Sequence, residues 1–168
     1  FQCGYSKTIA NVSLKFQHCE FKNNKCSNGK GGALSLSVNH DVSITDCVFE
    51  GNSASGEGGA IHIWGKIVDP NNYKQDVTEP LQMNLITITN TQFKSNKALN
   101  GNAIYIEQEH IEKVKLDISK STFENNGDNS SSSLIVSFCG EVIFEDNEVK
   151  YTDKTKTCSA LYLNVPRS

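Results

Sequence analysis

The chain has 168 residues, 37% of them hydrophobic, with 6 Cys, 12 Gly, 3 Pro, one Trp and a formal net charge of −3. Its 18 Asn and 18 Ser favour turns and strands over helix interiors, so long helices are not expected. The acidic balance without a basic cluster excludes nucleic acid and anionic membrane surfaces as partners, and no apolar run reaches the roughly 18 to 20 residues that span a bilayer.

Taken in chain order, the elements repeat. Residues 1–11 read as a partial unit holding Cys3 and the sequon Asn11-Val-Ser13. The first full unit runs through Leu14 and Phe16, then Phe21-Lys-Asn-Asn24, then Gly31-Gly32-Ala33-Leu34-Ser-Leu36. The second repeats this order with Val42 and Ile44, Phe49-Glu-Gly-Asn52, and Gly58-Gly59-Ala60-Ile61-His-Ile63. After residues 64–83 comes the third, with Ile86 and Ile88, Phe93-Lys-Ser-Asn96, and Gly101-Asn102-Ala103-Ile104-Tyr-Ile106. The fourth has Leu116 and Ile118, Phe123-Glu-Asn-Asn126, and Ser133-Leu134-Ile-Val136 aligned with the Ala-Leu-Ser-Leu of the first. A degraded fifth copy carries Val142, Phe144, Val149 and Ala160-Leu161-Tyr-Leu163.

Successive Phe residues are 28, 44 and 30 apart, so the long interval is one unit plus an insertion. Alternating apolar stretches broken by Asn and Gly are strands joined by tight turns. Three short strands in each unit of this length predict one all-β domain over residues 1–168, a right-handed parallel β-helix of about five rungs, with one inserted loop. Equivalent residues then stack at about 4.8 Å. Phe21, Phe49, Phe93 and Phe123 are expected to form an inward ladder, and Asn24, Asn52, Asn96 and Asn126 a corner ladder in left-handed geometry. The Gly pairs would serve the other corner. Open rung edges invite pairing, so the chain is expected to be part of a longer solenoid or to be capped by another chain.

The phased GGA(I/L) and FxxN tetrapeptides, in this order, resemble the polymorphic membrane protein repeats of chlamydial surface autotransporters. The resemblance covers about residues 12 to 136 through Phe21–Asn24, Gly31–Leu34, Phe49–Asn52, Gly58–Ile61, Phe93–Asn96, Gly101–Ile104 and Phe123–Asn126. Asn102 stands where the second motif glycine belongs, and the fourth copy replaces its glycines with serines. The resemblance implies a surface-exposed, extracellular passenger whose usual role is adhesion, and it supplies no catalytic residue.

Several side chains are candidates for more than folding. Cys19 and Cys47 share a column two residues before the Phe, and suit either a disulfide or a stacked pair of free thiols. Cys26 replaces the small residue of Ala54 and Ala98; bridges from Cys3 to Cys26, or from Cys139 to Cys158, would tie down terminal rungs. No cofactor is expected: no Cys/His spacing suits zinc, and Asp69, Asp76 and Glu79 form no dense calcium loop. His40 and His110 lie on rungs too far apart to meet, while His18 and His62 alternate with inward residues and are expected to face solvent. The insertion holds Trp64 and Tyr73 and is the expected binding loop; Asn129-Ser-Ser131 is a second sequon.

Two functions compete. A non-catalytic surface module would present a rigid wall and loops to a protein or glycan at a cell surface, or to neighbouring repeats or chains. A carbohydrate-binding or polysaccharide-degrading β-helix enzyme would instead need paired carboxylates in a groove. The outward acids Asp46, Glu50, Asp117 and Glu124 are scattered along the chain.

Overall fold

The computed structural model describes residues 13–37, 41–65, 84–108, 114–127, 133–137, 139–152 and 160–163. Within them every regular element is a strand, and the strands form three parallel five-stranded sheets. The first wall stacks β1 (Ser13–Gln17), β5 (Asp41–Thr45), β9 (Asn84–Thr89), β12 (Val114–Ser119) and β15 (Glu141–Glu145). The second stacks β2 (Glu20–Lys22), β6 (Val48–Glu50), β10 (Gln92–Lys94), β13 (Thr122–Glu124) and β16 (Glu148–Lys150). The third stacks β4 (Leu34–Ser37), β8 (Ile61–Gly65), β11 (Ile104–Gln108), β14 (Ile135–Ser137) and β17 (Leu161–Leu163). Neighbours in every wall pair in parallel and come from successive rungs, so each rung supplies one strand to each wall and the chain is a parallel β-helix. A short fourth stack joins β3 (Lys25–Cys26) to β7 (Ser53–Ala54) between the second and third walls.

The inward columns follow from the alternation. Leu14 pairs with Val42 and Phe16 with Ile44, Val42 with Ile86 and Ile44 with Ile88, then Ile86 with Leu116 and Ile88 with Ile118. The insertion leaves this register intact: the chain departs after β8 and returns at β9. The predicted register fails in one place. Ile104 pairs with Ile135, not with Leu134. Leu134 instead takes the alanine slot, where its carbonyl accepts from Ala103 N at 3.0 Å. The slip puts the two larger side chains, Leu134 and Ile135, inside and leaves the smaller Val136 facing outward.

The Phe ladder forms as expected. Phe21, Phe49, Phe93 and Phe123 stack with ring centroids 4.8, 5.1 and 4.9 Å apart and planes within 8° of parallel. The spacing matches the separation of neighbouring strands, so the rings repeat with the rungs as a continuous stack. Phe16 closes one end edge-on and Phe144 tilts against the other.

The Asn ladder also forms, but not in left-handed geometry. The positive φ angles belong to the residues just before it, Asn23, Gly51, Ser95 and Asn125. Asn24, Asn52, Asn96 and Asn126 can therefore turn inward, where each amide is matched to the next. Asn52 Oδ1 accepts from both the backbone N and the Nδ2 of Asn24, at 3.0 and 2.9 Å. Asn96 Oδ1 does the same for Asn52, and Asn126 Oδ1 for Asn96. The second Nδ2 proton goes back a rung, to the carbonyl of Phe21, Phe49 or Phe93. Such saturation is what allows amides to sit in a core without a desolvation penalty.

The same device builds the corner between the first and second walls. His18, Asp46, Asn90, Lys120 and Asp146 take positive φ, and the residue after each turns inward. In this column Thr91 Oγ1 donates to Thr89 O and accepts from Cys47 N, while Ser121 Oγ donates to Ser119 O and accepts from Thr91 N. The cysteines act as larger hydroxyls. Cys47 Sγ donates to Thr45 O at 3.2 Å and accepts from Cys19 N at 3.4 Å. The two therefore stand as stacked free thiols, each used as a hydrogen-bonding group, and the disulfide alternative is not what the structure holds. Cys26 and Cys139 are free as well; Cys3 and Cys158 lie outside the described residues.

At the third corner Gly58 needs its hydrogen for conformation, with φ at 69°, and Gly59 needs it for space. A Cβ on Gly59 would overlap the carbonyl of Asn102 one rung away. Asn102 stands in the position of Gly59 and carries a side chain whose amide takes a backbone donor. Ala54 N donates to the carbonyl of Lys97 in the next rung, whereas Ala98 N donates to Asn102 Oδ1 at 3.1 Å.

Candidate functional site

With the interior committed to folding, functional differences must lie on the walls. The second wall carries a ladder of alternating sign, in which Lys22 pairs with Glu50, Glu50 with Lys94, Lys94 with Glu124 and Glu124 with Lys150. Opposite charges on neighbouring strands favour this register over a slipped one. Glu50 and Glu124 belong to this ladder, with Lys94 between them. Asp117 stands on the first wall and Asp46 at a corner, 3.6 Å from the exposed His18. None of these four acids is paired with another of the four, as a glycoside-cleaving carboxylate pair would be.

The third wall differs. Its outward column reads Ser35, His62, Tyr105, Val136 and Tyr162, one residue per rung. Next to it Trp64 pairs with Glu107, where β8 gives way to the insertion. Trp64 is 41% exposed and Tyr162 52%, so this wall presents aromatic surface, whereas the outward strand positions of the other two walls hold charged, polar and a few aliphatic side chains, Leu85 among them. Tyr73, the second aromatic of the insertion, lies outside the described residues, as do Asn11, Asn129, His40, His110, Asp69, Asp76 and Glu79.

His62 corrects the sequence reading most sharply. It points outward as the alternation requires, yet it is only 3% exposed. Its ring stacks on Tyr105 with centroids 5.8 Å apart. Lys30, just before the corner glycine, reaches over Tyr105 and places its ammonium 2.8 Å from Glu107 and 3.3 Å from Glu57. His62 Nε2 lies 3.8 Å from Glu107, too far for a hydrogen bond, and neither ring nitrogen has a hydrogen-bond partner. Burial, aided by the Lys30 ammonium, lowers the imidazole pKa to about 4, so the ring is neutral at physiological pH. Lys30 in turn holds Glu107 below the ordinary carboxylate range by hydrogen bonding and charge.

Glu57 and Glu107 are thus the carboxylates that the fold gathers, but around a cation. A general acid for glycoside cleavage needs a raised carboxyl pKa, and Glu107 is moved the other way. Among the described residues no three His, Cys, Asp or Glu side chains gather as a metal site. Sequence reasoning missed this cluster because Lys30, Glu57 and Glu107 share no motif. The visible signal was the column itself: outward positions that grow from Ser35 to His62 to Tyr105 are unusual on a solvated wall.

The fold defines the chain as an all-β parallel solenoid, with a hydrogen-bonded core and outward aromatics on one wall. The chain carries a repeat of the polymorphic membrane protein type: the Chlamydia polymorphic membrane protein repeat family matches residues 46–63, from the Asp46 corner through Phe49, Asn52 and the Gly58–Ile61 turn to Ile63. It is also similar to the probable autotransporter YfaL of Escherichia coli (strain K12), 33% identical over 95 residues. That stretch is 56% of this chain, but only 7% of the relative's length. No solved structure matches the chain. The fold and both similarities fit a surface-exposed β-helix protein.

Proposed function

We propose that this chain is a non-catalytic adhesion module of a cell-surface protein, with the third wall and its emerging loop as the face that meets a protein or glycan on another surface. The observation that carries the reading is the exposed aromatic pair Trp64 and Tyr162 on the third wall, beside outward strand positions on the other two that hold no aromatic among the described residues. Exposed aromatics on a rigid sheet lose little side-chain entropy on binding, which makes them effective anchors. The similarity to autotransporter and polymorphic membrane protein repeats supports an extracellular position.

The test couples the purified chain to beads and measures retention on intact cells, with free chain as competitor. Competable retention that falls several-fold in a Trp64→Ala/Tyr162→Ala variant supports the reading. Absence of retention, or turnover of a polysaccharide by the purified chain, overturns it.

A further inference from the structure

His62 is a polar group that the fold buries without satisfying, since neither ring nitrogen has a hydrogen-bond partner. Lys30 precedes β4 and Glu107 lies in β11, the strands on either side of the β8 that carries His62. The Lys30 ammonium reaches Glu107 Oε2 at 2.8 Å, so its side chain crosses the His62 rung as a strap. Glu57, at the corner one rung on from Lys30, stands 3.3 Å from the same ammonium. His62 Nε2 lies 3.8 Å from Glu107 Oε2, the very oxygen that Lys30 holds. Trp64 points to the same side of the wall as His62 and is in register with Glu107.

We propose that His62 and Lys30 are alternative cationic partners of Glu107, so that a proton taken up by His62 from solvent exchanges the two and releases the Lys30 strap beside Trp64. A buried imidazolium must find an anion or water. Its nearest carboxylate oxygen is Glu107 Oε2, and a side-chain movement of about 1 Å would bring the 3.8 Å gap to the length of a charge-assisted hydrogen bond. Two cations then compete for one oxygen. Lys30 is the one free to leave, because its side chain is partly exposed and Glu57 is already beside it, whereas His62 is held in the wall by its stack on Tyr105. Among the described residues the charged groups that face His62 are Lys30, Glu57 and Glu107; β4 adds the hydroxyl of Ser35, and β11 the Tyr105 phenol, which burial moves to higher pKa and keeps neutral in acid. Glu107 is held below the ordinary carboxylate range, so it is still an anion when the imidazole takes its proton.

The test titrates the purified chain with acid, following the His62 ring by NMR and the emission of Trp64, the only Trp in the chain. His62→Phe assigns the ring signals, and far-UV dichroism checks that every variant is folded. In wild type the ring is expected to titrate near pH 4, with a step in Trp64 emission at the same midpoint; His62→Phe should lose that step. Lys30→Met removes both the strap and a repelling charge, so the His62 midpoint should rise toward the ordinary value of 6.5. Glu107→Gln removes the anion that receives the imidazolium, so the midpoint should fall below that of wild type. Opposite signs are the signature of exchange, because a strap that served only as a cover would let the midpoint rise in both variants. A rise in both, no movement in either, or an emission step that survives in His62→Phe overturns the proposal. Its consequence for adhesion rests on the reading above, under which competable bead retention should change several-fold between neutral pH and about pH 4 in wild type and not in His62→Phe. The titration itself uses no cells, so expected midpoints without retention at any pH would overturn the adhesion reading and support the exchange.

Discussion

Replacing Asn96 with alanine isolates the contribution of the amide ladder. Asn96 Oδ1 accepts from Asn52 N and Nδ2, and its own Nδ2 donates to Phe49 O and Asn126 Oδ1. The side chain is fully buried, so the variant leaves its donor and acceptor partners without these bonds in a site that excludes water. At about 1 kcal/mol for each net hydrogen bond, and more for groups left unpaired, the cost is about 4 kcal/mol. That is a large share of the roughly 5–15 kcal/mol that stabilises a typical domain. Asn24 is the internal control: it sits at the exposed end of the ladder, and its side chain donates only to Asn52 Oδ1 among the ladder acceptors. Asn24→Ala leaves Asn52 Oδ1 its bond from the Asn24 backbone, and should cost about 1 kcal/mol or less. Urea unfolding followed by dichroism measures both. If Asn96→Ala and Asn24→Ala shift the midpoint equally, the ladder is a geometric accident of stacking and carries no special stability.

Gly59→Ala places a methyl group against the Asn102 carbonyl and should destabilise by several kcal/mol or abolish folding; Gly56→Ala, whose Cβ would stand 3.1 Å from Gly29 O, a tight contact rather than an overlap, should cost clearly less, and thermal melts of the pair separate them. His62 binds its proton more weakly folded than unfolded, so the unfolded state takes up the proton first and stability falls as pH drops from about 6.5 to about 4. The loss amounts to about 3 kcal/mol at full protonation. His62→Phe keeps the stack on Tyr105 and should show a visibly flatter profile in urea midpoints across that range; an unchanged profile refutes the assignment. Glu50→Lys puts a third ammonium between those of Lys22 and Lys94, and should lower the urea midpoint by an amount that about 0.5 M salt largely restores, whereas Glu50→Gln should show little salt dependence.

What is legible in the sequence is what repeats. A residue that must stack on its own counterpart leaves a column, and so Phe49, Asn52 and Ile61 reveal the solenoid, its inward faces and most of its register. Features that depend on a single rung leave none. The slip at Leu134 comes from the relative bulk of three adjacent apolar residues, which the motif does not encode. The left-handed corners fall one residue earlier than the motif suggests because Asn is common both in that geometry and in amide ladders, and Asn23-Asn24 and Asn125-Asn126 place the two roles side by side. The thiols of Cys19 and Cys47 are equally ambiguous in sequence, and the hydrogen bonds of Thr91 and Ser121 resolve them by showing that the column requires a side chain that both donates and accepts.

The burial of His62 shows why site prediction on a solenoid fails where fold prediction succeeds. Alternation fixes direction, inward or outward, and His62 obeys it. Burial on an outer wall is set by something else: a long side chain from the preceding corner, Lys30, and a large neighbour on the next rung, Tyr105. Neither constraint has a period, because neither is needed for stacking. The rungs therefore specify a nearly uniform scaffold, while exceptions to the pattern mark where the wall has been altered: the outward aromatics and the insertion after Gly65. In a protein of this kind, binding surfaces are best sought where the repeat is broken without loss of register.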